Sequence, residues 1–186
     1  MKKELDEKLV AAFPLLYKDR HESMQETAMC WGFACGDGWF DIIWDLSSKL
    51  EPLIEKYIKD NPNSECTNCA CTKDKHYGSK TRNVGKCLAI HTDPDSEELP
   101  PGNYFACFCD VYSENYPRAA QVKEKFGMLS FYMTQSNDEI RTLIRAAERS
   151  TQETCEACGK PGSKTPNKHW AYTRCGDCSE RNEDRS

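Results

Sequence analysis

Four cysteines near the end of the chain carry its most specific chemistry: Cys155-Glu-Ala-Cys158 and Cys175-Gly-Asp-Cys178, with sixteen residues between the two pairs. A Cys-x-x-Cys turn sets two thiolates on one side of a tight bend, and two such turns facing each other complete a tetrahedral shell for zinc. With every corner taken by sulfur, no position is left for a reactive water. The expected centre is therefore structural, and the chain is not expected to be an enzyme. Four free or disulfide-bonded thiols are the competing reading, and the spacing favours zinc over it. Gly159 and Gly176 stand where such knuckles need a residue free of Cβ strain.

A second donor set lies between residues 61 and 117, at Cys66, Cys69, Cys71, His76, Cys87, His91, Cys107 and Cys109. Cys66 and Cys69 make another knuckle. Cys87 and His91, four apart, share a face in a helical turn or a strand, so these four give three cysteines and one histidine for a second zinc. Cys107 and Cys109 compete for that role. The run Tyr104-Phe-Ala-Cys-Phe-Cys-Asp-Val-Tyr112 reads as a strand with both thiols on one face, where burial would make them ordinary core cysteines. Cys30 and Cys35 would need donors borrowed from elsewhere and are expected to be packed thiols.

Other chemistries lack their residues. The chain has no His-x-Glu with Pro-Cys-x-x-Cys for a zinc deaminase, no His-Glu-x-x-His, and no phosphate-cradling Gly-x-x-x-x-Gly-Lys-Ser/Thr. His169 lies between the two C-terminal knuckles, as the catalytic histidine of an HNH-type nuclease would. The gap is short for that hairpin and helix, and no acidic residue precedes the histidine, so a nuclease is only a remote alternative. Lys73, Lys75, Lys80, Arg82 and Lys86, with Tyr77 among them, form a basic stretch suited to nucleic-acid contact. Lys160, Lys164, Lys168 and Arg174, with Trp170 and Tyr172, form another. Lysine-rich loops more often merely stay solvated. The formal net charge of −5 argues against nonspecific coating of nucleic acid, while the acidic Asp93, Asp95, Glu97 and Glu98 suit a basic protein surface.

The elements that must position these groups are modest. Hydrophobic residues are 38% of the chain and charged residues 30%, so the apolar core is small and metal is expected to supply part of the stability. Zinc-finger peptides bind their ion with about 10–16 kcal/mol, comparable with the stability of a whole small domain. Leu5, Leu9, Val10 and Phe13 predict a helix over residues 4–13 that Pro14 ends. The segment Cys30-Trp-Gly-Phe-Ala-Cys-Gly-Asp-Gly-Trp39 reads as a compact turn packed by its aromatics, with Asp37 capping the helix that follows. That helix, residues 40–59, carries Ile43, Leu46, Leu50, Leu53, Ile54, Tyr57 and Ile58 on one stripe. Pro52 and the capping-box pattern Ser48-x-x-Glu51 predict a kink or restart near Ser47 and Ser48. Residues 121–134 read as β structure in which Val122, Glu124 and Phe126 alternate with lysines and Leu129, Phe131 and Met133 share a face. Gly127 marks a bulge or reversal. Asn137 caps a final amphipathic helix with Ile140, Leu143, Ile144 and Ala147 inward.

Three segments, Gly32-Phe-Ala-Cys-Gly-Asp-Gly-Trp-Phe-Asp-Ile-Ile-Trp44, Gln121-Val-Lys-Glu-Lys-Phe-Gly-Met-Leu-Ser-Phe-Tyr132 and the C-terminal knuckles, resemble a family of small, mostly uncharacterised zinc-ribbon proteins of phages, prophages and bacteria. The resemblance covers residues 28–60 and 118–180 and implies a setting more than an activity: interference with a host system is the natural guess. The expected architecture is α+β. A helix and sheet core spans residues 1–60 and 118–150, a Cys-rich zinc module is inserted at 61–117, and a zinc ribbon occupies 151–186. The charged N-terminus has no apolar signal region, and no run of about 20 apolar residues occurs, so a cytoplasmic, reducing location without membrane insertion is expected. The expected function is non-enzymatic, zinc-dependent interaction with a protein partner, with nucleic-acid binding as the runner-up.

Overall fold

A computed structural model describes residues 1–60, 116–165 and 171–183, together with three short strands at 76–78, 85–87 and 107–109. The chain divides into two compact units, residues 1–57 with 116–186, and residues 58–115. The structure is mixed helix and strand, consistent with α+β. Residues of the ribbon segment belong to the first unit, together with the helix and sheet core.

In the first unit, helix α1 (Lys3–Ala12) is short, as expected where Pro14 follows. Its start is held by Asp37, whose carboxylate accepts the Lys2 amide at 2.7 Å and pairs with the Lys2 ammonium at 3.3 Å. Asp37 therefore does not cap the helix after it. It lies in a 3₁₀ turn (Asp37–Trp39) that runs directly into α2 (Phe40–Asp60), and its side chain is spent on α1. Strand β1 (Phe33–Ala34) lies just before this turn. Of the aromatics in this segment Phe33 and Trp39 are buried, but Trp31 stands 67% exposed.

Helix α2 runs as one helix through Pro52, so the predicted restart near Ser47 and Ser48 does not occur. Pro52 and Ser48, whose carbonyl loses a partner to the proline, are both exposed, so water can serve that carbonyl. Packing on both sides of the proline holds the helix: Ile43, Leu46, Leu50 and Ile54 are at most 2% exposed, each worth about 1.5–3 kcal/mol of transfer free energy. Nor is there a capping box. Ser48 donates to the Asp45 carbonyl, while Glu51 accepts the backbone amides of Leu15 and Leu16, both at 2.9 Å. A residue that looked like a helix start instead closes the loop after α1.

Strands β5 (Ala119–Lys125) and β6 (Met128–Met133) form an antiparallel hairpin, and β1 adds to β5 in parallel with Phe33 opposite Val122. Phe33, Val122, Leu129 and Phe131 are buried toward the core. Gly127 makes the reversal rather than a bulge, with Phe126 and Gly127 both at positive φ (53° and 78°), the signature of a two-residue I′ turn. Phe126 consequently leaves the pattern of its strand and stands 67% exposed at the tip. Helix α3 (Asp138–Ser150) begins as predicted, with the Asn137 side chain accepting the Ile140 amide at 2.8 Å and Ile140, Ile144 and Ala147 buried.

The C-terminal part of this unit holds a two-stranded antiparallel hairpin, β7 (Ser163–Thr165) with β8 (Tyr172–Arg174), and helix α4 (Gly176–Glu183). In the second unit, β2 (His76–Gly78), β3 (Gly85–Cys87) and β4 (Cys107–Cys109) form an antiparallel sheet in that order. Its register sets His76 opposite Cys87 and Cys87 opposite Cys107. Among the described residues, no helix is long and apolar enough to cross a membrane.

Candidate metal centre

The two knuckles flank the β7–β8 hairpin in the chain, one before β7 and one after β8, and the antiparallel pairing of Ser163 with Arg174 brings them together at its open end. In the first, the Gly159 amide donates to the Cys155 carbonyl at 2.9 Å and the Cys155 amide to the Lys160 carbonyl at 2.8 Å, with Gly159 at φ 75° to complete the turn. The second is the opening of α4, where the amides of Cys178 and Ser179 both donate to the Cys175 carbonyl. Gly176 there has neither a positive φ nor any atom within 4 Å of an added Cβ. The conformational role expected of it falls to Gly159 alone, because a helical turn satisfies the second knuckle.

The Sγ atoms of Cys155, Cys158, Cys175 and Cys178 lie within 4.8 Å of one another. Tetrahedral zinc with Zn–S near 2.3 Å needs sulfur separations of about 3.8 Å, so the group could hold such a metal ion. Cys158 and Cys175 approach to 3.6 Å, well beyond the ~2.05 Å of a disulfide, and none of the four cysteines is in a disulfide. Burial works against ionising Cys155, but the amides of Cys175, Cys158 and Ala157 donate toward its sulfur and leave its pKa lowered, to about 7. Hydrogen bonding with the Cys158 and Cys175 sulfurs pushes the Cys178 thiol up to about 12. One thiolate among three close sulfurs makes the others reluctant to ionise, and a divalent cation removes that conflict. The Lys160–Asp177 ion pair at 3.1 Å ties the knuckles together but is exposed and worth little.

The cluster is built into the core. Gly36 and Gly38 donate to Glu156, to its carboxylate at 2.8 Å and its carbonyl at 2.7 Å, and the indole of Trp39 donates to the Thr154 carbonyl at 2.9 Å. A Cβ on Gly38 would lie 2.2 Å from the Cys155 carbonyl oxygen, so only glycine permits this approach. On the other side, the Glu156 amide donates to the Thr173 carbonyl at 3.0 Å, and the buried Thr173 hydroxyl donates to the Gly127 carbonyl. Thr173 thus joins the first knuckle to the turn of the β5–β6 hairpin. The glycines and tryptophan of residues 36–39 announce a tight turn in the sequence, but nothing local names the knuckle as what they grip.

The remaining candidates separate. Cys35 is buried, with burial pushing its thiol up to about 12, and Cys30 is half-buried; neither belongs to a metal-binding group among the described residues. Cys87, Lys86, Cys107 and Cys109 lie on β3 and β4, and His76 on β2. Cys66, Cys69, Cys71, His91, Lys73, Lys75, Lys80, Arg82, the acidic stretch 93–98, Lys168, His169 and Trp170 lie outside the described residues. In the ribbon segment, Lys160 is committed to Asp177, and Arg174 sits 5.6 Å over the Tyr172 ring, which leaves Lys164 as an exposed lysine there. Comparisons with protein-family models, curated proteins and solved structures found no match to this chain.

Proposed function

We propose that this is a zinc-stabilised, non-enzymatic interaction protein, in which the four-cysteine centre forms a closed zinc ribbon and braces a surface used to bind another protein. The observation that carries the reading is Phe126. It is a large aromatic, 67% exposed, at a position of φ 53° where Asn or Gly would be at ease. A left-handed conformation costs a β-carbon residue about 1–2 kcal/mol, and an exposed ring returns little of that in the free protein. Strain kept at an exposed position is a pointer to function. The turn that presents Phe126 is fastened through Gly127 and Thr173 to the first knuckle, so the metal would hold the ring rigid, which lowers the entropic cost of binding. Trp31 and Met24, each 67% exposed, are further apolar anchors on the same unit. In the phage setting that the resemblance implies, the partner would be a host protein.

Nucleic-acid binding is the second reading, favoured by Lys125 over the Phe126 ring at 5.6 Å and Lys123 over Tyr132 at 5.6 Å, since cations beside exposed rings suit stacked bases. One experiment separates the two. Immobilised wild-type and Phe126→Asn protein are challenged with cell lysate and with single-stranded DNA and RNA across a salt series. The proposal expects a discrete protein retained by the wild type and lost by the variant, with folded stability raised by about 1 kcal/mol in the variant. Retention of nucleic acid that falls steeply with salt would support the second reading. Equal retention of the same protein by both forms would refute the role of Phe126.

A further inference from the structure

Register and burial together divide the β5–β6 hairpin into two unlike faces. Directly paired residues of neighbouring strands share a face, as do residues two apart in one strand. Val122 with Phe131 and Glu124 with Leu129 lie on the face turned to the core, where Val122, Phe131 and Leu129 are buried. The pairs Gln121 with Tyr132, Lys123 with Ser130 and Lys125 with Met128 make the other face, and Ala34 of β1, opposite Lys123, extends it. None of these residues is buried, and Tyr132 is 42% exposed. The face carries two lysines and no carboxylate, in a chain of formal net charge −5. Both ammonium groups sit over rings, Lys123 over Tyr132 and Lys125 over Phe126, each at 5.6 Å, and among the described residues neither is in a salt bridge. The edges of the same sheet are largely closed. On β6 the amides of Leu129 and Phe131 donate to the Thr151 hydroxyl at 3.0 Å and the Glu148 carboxylate at 3.2 Å, and β1 at the other edge is two residues long. A partner strand finds little unpaired backbone to extend, so the side chains of the face are what a partner can contact.

We propose that this face is a docking surface for an acidic segment of another protein, whose Asp or Glu side chains pair with Lys123 and Lys125 while its apolar side chains cover Phe126, Met128 and Tyr132. The inference rests on the reading of this hairpin as a protein-binding surface and names the chemistry of the partner. Complementary charge contributes specificity and a fast encounter more than raw affinity, and the exposed rings supply the apolar area that binding buries. A positive face on a net negative chain also steers an approaching acidic segment toward this spot. Nucleic acid fits less well as the occupant, because its affinity comes from neutralising many phosphates and the face offers two cations.

The test is selection of a random-sequence peptide library on the immobilised full chain, reduced and loaded with Zn²⁺, followed by titration of a selected peptide into the isotope-labelled protein. The wild type should enrich peptides that combine Asp or Glu with aromatic or aliphatic residues. Titration should shift the amide signals of Gln121, Lys123, Lys125, Met128 and Tyr132 and leave those of α3 in place, with affinity falling as salt rises. Lys123→Glu/Lys125→Glu should weaken the acidic peptide by on the order of tenfold and turn the selection toward Lys and Arg. Should the reversed variant unfold early in urea, Lys123→Gln/Lys125→Gln decides, because it removes the charges with little change of size. No enrichment, recovery of neutral or basic peptides, shifts confined to another surface, an affinity indifferent to both lysines, or an oligothymidylate that binds this face more tightly than any selected peptide would each overturn the proposal. Phe126→Asn separates it from the reading on which it builds. Binding lost in Phe126→Asn but kept in the lysine variants leaves a protein-binding hairpin without an acidic partner; binding lost in the lysine variants but kept in Phe126→Asn supports the acidic partner and removes the anchoring role of Phe126.

Discussion

Replacing Gly38 with alanine tests whether the metal knuckle and the core are one mechanical piece. The added methyl would meet the Cys155 carbonyl oxygen at 2.2 Å, the Gly159 nitrogen at 2.4 Å and the Cys158 nitrogen at 2.7 Å, all backbone atoms of the first knuckle. Ordinary contact needs about 3.5 Å, so the knuckle must retreat by roughly an ångström. Overpacking of this kind costs about 1–3 kcal/mol. The retreat also endangers the Gly38–Glu156 bond of 2.7 Å and the Trp39–Thr154 bond of 2.9 Å, each worth about 0.5–1.5 kcal/mol. A loss of about 3 kcal/mol is expected, equivalent to about 100-fold in an equilibrium constant. Urea unfolding of the metal-loaded protein, followed by tryptophan fluorescence, reads the stability, and competition with a chromogenic chelator reads the metal affinity. Gly176→Ala is the control, because nothing lies within 4 Å of its added Cβ, and it should change stability by no more than about 0.5 kcal/mol. If Gly38→Ala unfolds within 0.5 kcal/mol of the wild type, or if the Gly176 variant suffers equally, the docking argument is refuted.

Three further outcomes follow from the same geometry. Removing metal with a strong chelator should expose the amides of Cys155, Glu156 and Gly159 to rapid hydrogen exchange, and through Thr173 should also loosen the Gly127 turn, while the Asn137-capped start of α3 stays protected; uniform loss of protection would contradict this. Acid should release the metal. Protons compete with the ion for the four thiolates, and a bound ion keeps them ionised, so zinc release followed with a chromogenic dye should begin only below pH 7, the value to which Cys155 is lowered before any ion binds; release already complete above pH 7 would contradict a four-thiolate centre. Glu51→Ala should cost about 2–4 kcal/mol in urea unfolding, because it leaves the Leu15 and buried Leu16 amides without their acceptor, and Glu51→Gln should cost less because it can still accept one of them.

Local rules in the sequence were enough wherever a signal and its consequence lie within one or two turns of chain. Asn137 before Asp138-Glu139 fixed the start of α3, Pro14 closed α1, and the Cys-x-x-Cys spacings identified the four sulfurs that the fold brings together. Where a polar side chain had a choice of partner, distance along the chain decided against the local one. Asp37 serves the Lys2 amide, and the Lys2 ammonium with it, rather than its own helix, and Glu51 serves Leu15 and Leu16 rather than Ser48, since burial would otherwise leave the Leu16 amide unpaired. Pro52 shows the same precedence: burial of the stripe on either side outweighs a local preference to break.

By itself, the sequence determined the donor atoms, their pairing into knuckles and the helices that carry an apolar stripe, because these depend on residue type and short spacing. Only the tertiary structure decided that Gly36, Gly38, Trp39 and Thr173 clasp the first knuckle, and that His76, Cys87 and Cys107 stand in one row. Such contacts join residues from 11 positions apart, His76 and Cys87, to 120, Gly36 and Glu156, and no local pattern encodes which segment will lie against which. The docking follows from close packing of backbone on backbone, which exists only once the chain has folded.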